Sequence, residues 1–181
     1  MNKIVFSGIA LLTLLALSSC KEKQEKTDEI IIEKVVDKPQ NDAISSPEKN
    51  SSGSVKWVNG DTYRYSIKIA ADDELQQVRN GETTYKDNSA RLTILRSDGS
   101  EFFNSSFTKN SFTGLLSSDM KEHGSLIGFS FDHADESKLY FVASIGSPDE
   151  SSEEFTLVQL IVDRMGTTTV ATYTPDEIPN E

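Results

Sequence analysis

The chain is 181 residues long, with 29 acidic against 18 basic side chains and a formal net charge of −11 at pH 7. That balance argues against nucleic acid, whose affinity comes from Lys and Arg neutralising phosphates, and against lying flat on an anionic membrane. One cysteine cannot form an internal disulfide, and the length suits one folded domain with flanking segments.

Met1-Asn2-Lys3 is a short positive start, and Ile4 to Leu17 is apolar apart from Ser7, Gly8 and Thr13. As a helix that run spans roughly 21 Å, short of the ~30 Å hydrocarbon core, so it reads as a secretory leader rather than a membrane span. Leu17-Ser18-Ser19-Cys20 follows. It resembles the bacterial lipobox, with an apolar residue three positions before an obligatory cysteine and small residues between. The resemblance implies a signal peptide over residues 1–19, cleavage after Ser19, and lipidation of Cys20 on its sulfur and its new amino group. Each buried methylene adds ~0.8 kcal/mol, so more than one acyl chain anchors stably. The rival reading is an ordinary secretory signal that ends near a cysteine.

Residues 20–54 read as the lipidated cysteine and a flexible tether, polar, poor in aromatics and interrupted by Pro39 and Pro47. Such a stretch buries too little apolar area to offset its ordering entropy. Glu29-Ile30-Ile31-Ile32-Glu33-Lys34-Val35-Val36 is the exception, and suits a strand, a short helix or a docking segment.

Residues 55–175 read as one β-rich domain. Tyr63, Tyr65, Ile67 and Ile69 alternate with polar residues, the period of a half-buried strand. Asn80-Gly81, between Leu75–Arg79 and Glu82–Tyr85, signals a two-residue hairpin with both turn residues at positive φ; the rival is a short helix from Asp72 to Gly81. Arg91–Arg96 and Glu101–Phe107 flank a second turn at Asp98-Gly99. Phe112, Leu115 and Leu116 follow Thr108, a candidate N-cap, at helical spacing, and predict a helix of two to three turns weakened by Gly114. Ile127, Phe129 and Phe131 alternate, as do Leu139, Phe141, Ala143 and Ile145, with His133–Ser137 as a polar connection. Pro148 closes the second of these strands. Phe155 to Val162, apolar at both parities, predicts a central strand covered on both sides. Thr167 to Tyr173 is a last strand, and residues 176–181 a loose tail. The pattern gives seven to nine strands and no βαβ alternation. It predicts a mainly β fold, a single antiparallel sandwich or up-and-down barrel with one short helix.

Tyr85-Lys86-Asp87-Asn88, Leu92–Gly99, Phe107–Phe112 and Leu139–Ser144, with Arg164-Met165-Gly166, resemble an uncharacterised lipoprotein family of Bacteroides-type Gram-negative bacteria, a domain of unknown function. The resemblance implies a cell-envelope setting, an outer-membrane one, and no functional residue beyond the lipidated cysteine.

The residues offer little reactive chemistry. His123 and His133 are the only histidines, and Asp132-His133-Ala134-Asp135-Glu136 reads as an exposed turn before it reads as a metal site. There is no Gly-x-Ser-x-Gly elbow and no phosphate-binding or dinucleotide loop. Asp149–Glu154 and Asp72-Asp73-Glu74 read as solvated acidic loops, the first also as a contact for a basic partner or a weak calcium site. Trp57, Tyr63 and Tyr65 read as core or sheet surface before a carbohydrate or lipid platform. The expectation is a lipid-anchored binding module, not an enzyme, without metal or cofactor, whose ligand is an envelope protein or a small molecule. A barrel-cavity carrier and a carboxylate-based glycan enzyme are the competing readings.

Overall fold

A computed structural model of the chain describes residues 42–175, all within the compact unit Pro39–Glu181. Cys20, the leader, the 29–36 segment and the 176–181 tail lie outside the described residues. The domain has ten strands: β1 (Lys49–Lys56), β2 (Thr62–Ala71), β3 (Val78–Asn80), β4 (Thr83–Tyr85), β5 (Asn88–Leu95), β6 (Glu101–Phe107), β7 (Ser125–Ala134), β8 (Lys138–Gly146), β9 (Phe155–Asp163) and β10 (Thr168–Thr172). A 3₁₀ helix (Lys109–Leu115) and an α-helix, α1 (Ser118–His123), connect β6 to β7. One antiparallel sheet has the order β1-β2-β5-β6, a second β10-β9-β8-β7, and β3-β4 form a separate ribbon. Both large sheets are open, so the sandwich is realised and the closed barrel is not.

Period-two patterning builds the core. Tyr63, Ile67 and Ile69 on β2 and Ala90, Leu92 and Ile94 on β5 are buried, and their polar neighbours face out. The second sheet contributes Phe129, Leu139, Phe141, Ala143, Ile145, Val158, Leu160 and Val162. Aromatic rings knit the two layers together. Phe103 stacks on Phe107, Phe107 on Phe129 and Phe129 on Phe141, with centroids 6.3, 5.8 and 5.9 Å apart. That series leaves β6 in one sheet and ends on β8 in the other. Tyr65 stacks on Phe131 at 4.8 Å, a second bridge between the sheets. Each such contact adds about 0.5–1.5 kcal/mol beyond its buried area.

Several expectations shift. The spacer expected to run to residue 54 ends earlier, because β1 pairs with β2 from Lys49↔Ile69 to Lys56↔Thr62. An edge strand needs no apolar alternation when its ladder bonds satisfy the backbone, which is why Lys-Asn-Ser-Ser-Gly-Ser reads as linker. Ile44 also joins the fold, exchanging backbone bonds of 2.9 Å with Thr84 and Lys86. The first hairpin turns one residue later than Asn80-Gly81: Asn80 pairs with Thr83, so Gly81-Glu82 make the turn and only Gly81 has positive φ (+59°). In the second, Arg96 and Ser100 bond across a three-residue loop, with Gly99 at φ +86° in the left-handed position that such loops require.

The helix expected after Thr108 is a 3₁₀ helix, marked by a 3.0 Å bond from the Ser111 N–H to the Thr108 carbonyl. Its Asn, Ser, Thr and Gly residues are poor α-helix formers. The α-helix comes next, at α1, capped by Ser117 Oγ, which accepts from the Met120 N–H at 3.2 Å. Among the described residues β9 is covered on one face only: Val158, Leu160 and Val162 are buried, whereas Leu157 and Ile161 are half-exposed on the outer surface. His133 and Ala134 belong to β7, which leaves Asp135–Ser137 as the turn.

Phe141 is fully buried between the sheets and meets Phe129, Phe131 and Tyr65. Phe141→Ala is expected to lower the unfolding free energy by about 3–5 kcal/mol, read from the urea midpoint. A loss under about 1 kcal/mol would mean the ring does not join the layers.

Candidate functional site

The sandwich has two ends, and its unusual polar chemistry gathers at the end where β5 and β7 begin. Asp87, Asn88 and Ser125 are buried there, and Lys109 nearly so. Asp87 sits just before β5. Its Oδ1 accepts from the Asn88 N–H at 2.8 Å, from Ser125 Oγ at 2.6 Å and from the Leu126 N–H at 3.4 Å. Its Oδ2 lies 3.5 Å from Lys109 Nζ, which donates to the Gly124 carbonyl at 2.7 Å. One carboxylate thus ties the first sheet to the second and to the 3₁₀ helix. Ser125 is fully buried and its hydroxyl donates to Asp87, so it is no accessible nucleophile.

Asn88 extends this cluster. Its Nδ2 donates to the Leu126 carbonyl at 2.9 Å, which fixes the amide orientation, since a flip would set two oxygens against each other. Its Oδ1 is buried and has no hydrogen-bond partner among the described residues. Asn88 lines a cleft of about 290 Å³ whose walls include Pro47, Lys49, Ile69, Ile127 and Pro148. The acidic loop after β8 closes one side with Asp149 and Glu150.

At the opposite end, the β1–β2, β7–β8 and β9–β10 turns converge. Trp57 lies there, 5 % exposed, with edge-to-face contacts to Tyr63 (5.2 Å) and Phe102 (5.5 Å). Its Nε1–H is buried and lacks an acceptor among the described residues. A shallow cleft of about 580 Å³ adjoins it, lined also by Lys56, Asn59, Glu136 and Arg164. Asn59 has φ +59°, and Arg164 Nε donates to the Glu136 carbonyl at 2.9 Å.

The β7–β8 turn is organised by Asp135. Its Oδ1 accepts from the Ser137 and Lys138 amides at 2.6 and 2.7 Å, and its Oδ2 accepts from the Tyr140 hydroxyl at 2.8 Å. The Ser137 amide first, then the Tyr140 hydroxyl, hold this carboxyl down at about 2, and the same bond to Asp135 raises the Tyr140 hydroxyl. His133 stacks on Tyr140 at 4.2 Å, with its Nδ1 3.0 Å from Asp132 Oδ2.

The two histidines do not meet. His123 ends α1 just before β7, and His133 lies near the far end of that strand, roughly 30 Å away at ~3.3 Å per residue. Nδ1 of His123 lies 2.9 Å from the Arg79 carbonyl, an acceptor only, so that nitrogen carries the proton. Among the described residues no group of three His, Cys, Asp or Glu is arranged to hold a metal ion. Asp72 caps its own turn by accepting from the Glu74 N–H at 3.0 Å, and Asp73 pairs with Lys86 at 2.6 Å. Asp149 caps its loop by accepting from the Ser151 N–H at 2.9 Å, the main cause of its lowered pKa. Trp57 and Tyr63 are core residues, and Tyr65 is half-buried against Phe131.

The Asp87–Lys109 cluster carries no signal in the sequence reading beyond parity. Asn88, Ala90, Leu92 and Ile94 share one face of β5, so the period of that strand already turns Asn88 inward. The partners of Asp87 lie 22 and 38 residues away, in elements that no local pattern joins.

A family model described as "Domain of unknown function (DUF4738)" matches residues 30–170. No curated protein matches the chain.

The Asp135 carboxyl is depressed in the folded state, so its contribution to stability is complete above its ordinary value of 3.8 and is lost as pH falls to about 2. A carboxyl carbon NMR titration is expected to place its midpoint at about 2, and Tyr140→Phe is expected to move that midpoint up towards 3.8. A wild-type midpoint at 3.8 would contradict the hydrogen-bond assignment.

Proposed function

The chain belongs to the DUF4738 family, a domain of unknown function, and on that premise we propose that it is a lipid-anchored cell-envelope protein that acts by binding. Cys20 is the anchor, at the end of Leu17-Ser18-Ser19-Cys20 and behind a positive and then apolar leader. That juxtaposition is the observation that carries the reading. A thiol next to small residues, after an apolar run too short to cross a bilayer, suits acylation and cleavage at a membrane surface. We assign the protein to the outer membrane of a Bacteroides-type Gram-negative bacterium, as one of that group's lipoproteins.

The anchor defines how such a module works. Confinement to a surface raises the domain's effective concentration for a neighbour without any new contact. The acidic balance keeps the domain off anionic headgroups, so attachment runs through the acyl chains alone.

Binding rather than catalysis is supported by where the polar groups lie. Ser125 is sealed in the core, and the Asp132–His133 pair stands on a strand surface with a stacked tyrosine as its neighbour. The sandwich interior is filled by aromatic rings, so a ligand would sit on the surface of the domain rather than in a barrel cavity.

Mass spectrometry is expected to find a mature chain that begins at Cys20 and carries acyl groups, and Cys20→Ala is expected to abolish both the acylation and the cleavage after Ser19. An unmodified Cys20 thiol in the wild type, or a mature chain that begins at another residue, would overturn the anchor.

A further inference from the structure

We propose that the outer face of the first sheet binds a glycan that carries carboxylate or sulfate groups. The inference deepens the binding-module reading, and it rests on that reading only for the premise that the domain holds a ligand. It does not depend on the anchor, which mass spectrometry at Cys20 tests separately.

Charge is segregated in this domain. The chain has 29 acidic residues, yet β1, β2 and β5 contain no Asp or Glu. These three adjacent strands carry Lys49, Lys56, Arg64, Lys68 and Arg91. Strand parity turns Lys56, Arg64, Lys68 and Arg91 away from the core, and all four are exposed. Of the four, only Lys68 has a carboxylate partner among the described residues, Glu48 at 2.6 Å, and both side chains of that pair are half-exposed. Such a pair is worth little, so it yields to a competing anion. Lys68 stands directly opposite Arg91 in the ladder between β2 and β5. Like charges opposed across strands destabilise a sheet, and an anion set between them removes the repulsion. Arg91 Nη1 donates to Asn104 Oδ1 at 3.2 Å, a neutral acceptor that leaves its charge uncompensated. The single carboxylate in the strands of this sheet is Glu101, at the start of β6, whose Oε2 accepts from Asn104 Nδ2 at 3.0 Å.

The groups between the cations are hydroxyls and amides. Ser52, Ser66, Thr93 and Asn104 are successive register partners and form one row across all four strands. The row is about 14 Å long at ~4.8 Å per strand. Arg64 lies one row to one side of it, and Lys68 and Arg91 one row to the other. A cleft of about 440 Å³ has Asn50, Ser52, Ser66, Lys68, Arg91 and Thr93 in its lining, a volume within the range of small-ligand sites. Sugar hydroxyls match such a lining, because each can donate to one hydroxyl or amide and accept from another. Nucleic acid and membrane fit less well. The tyrosines of β2 point inward, Tyr63 into the core and Tyr65 against Phe131, so these strands offer no ring for a base to stack on. The net charge of −11 opposes the dense phosphates of a duplex and the surface of an anionic bilayer. A glycan with anions set among hydroxyls meets both the local cations and the polar row.

The test is an NMR titration of the full chain with tetragalacturonate and with a κ-carrageenan tetrasaccharide at constant ionic strength, following the amides of Ser52, Ser66, Lys68, Arg91 and Thr93. Saturable shifts at these residues are expected for at least one probe, and the tighter of the two names the oxyanion. The neutral counterpart of that probe, methyl-esterified or desulfated, keeps the same body and is expected to bind about tenfold or more weakly. Lys68→Gln/Arg91→Gln is expected to keep the native spectrum and bind about fivefold or more weakly. Lys86→Gln/Lys121→Gln, which removes the same charge elsewhere, is expected to bind as the wild type does. The proposal is overturned if neither probe saturates, if the neutral counterpart binds equally, or if the two double variants bind alike. Equal or tighter binding of tetraglutamate would replace the glycan with an acidic peptide, and equal or tighter binding of phosphatidylglycerol vesicles would replace it with a membrane surface. Either result overturns it.

Discussion

The buried carboxylate of Asp87 is the constraint on which the rest of this domain depends. Its two oxygens collect an amide from the first sheet, a hydroxyl and an amide from the second, and the ammonium of Lys109 from the 3₁₀ helix between them. Hydrophobic contact alone lets two sheets slide, because it is not directional. A charge with donors at fixed distances does not. The pair need not add net stability over an apolar replacement, since desolvation offsets much of its attraction. We read its role as setting how the sheets meet at one end.

The consequences run outward from that point. Lys109 Nζ also holds the Gly124 carbonyl, which fixes the end of α1 where β7 begins. Asn88 follows Asp87 directly, and its amide is turned by Leu126, the residue after Ser125. The Asn88 cleft is therefore shaped by the same contacts that register the sheets. The stack of Phe103, Phe107, Phe129 and Phe141 fills the space between the layers. The two ends of the sandwich carry opposite demands. The Trp57 end has a buried donor without an acceptor, and the Asn88 end a buried acceptor without a donor.

Much of the fold was legible from residue order, because period-two burial and turn chemistry are local. β2, β5, β7 and β8 follow the alternation of Ile67 and Ile69, Leu92 and Ile94, Phe129 and Phe141, and glycines mark both early hairpins. What escaped is what the rest of the molecule decides. β1 is a strand because β2 offers it a ladder, not because Lys-Asn-Ser-Ser has any strand preference of its own. Leu157 and Ile161 suggested a second covered face, but the chain supplies no layer above them among the described residues. The cluster at Asp87 joins residues 87, 109 and 125, a long-range arrangement with no sequence period. The motif that ends at Cys20 is wholly local, and it lies outside the described residues.

A double-mutant cycle on Asp87 and Lys109, read by urea unfolding, tests the central claim most directly. Asp87→Ala strands a buried ammonium and three donors, and is expected to cost about 3–5 kcal/mol. The double variant Asp87→Ala/Lys109→Ala is expected to lose less than the sum of the singles, with a coupling of about 0.5–3 kcal/mol. Additive losses, or an Asp87→Ala cost of about 0.5 kcal/mol or less as at an ordinary surface site, would contradict the account.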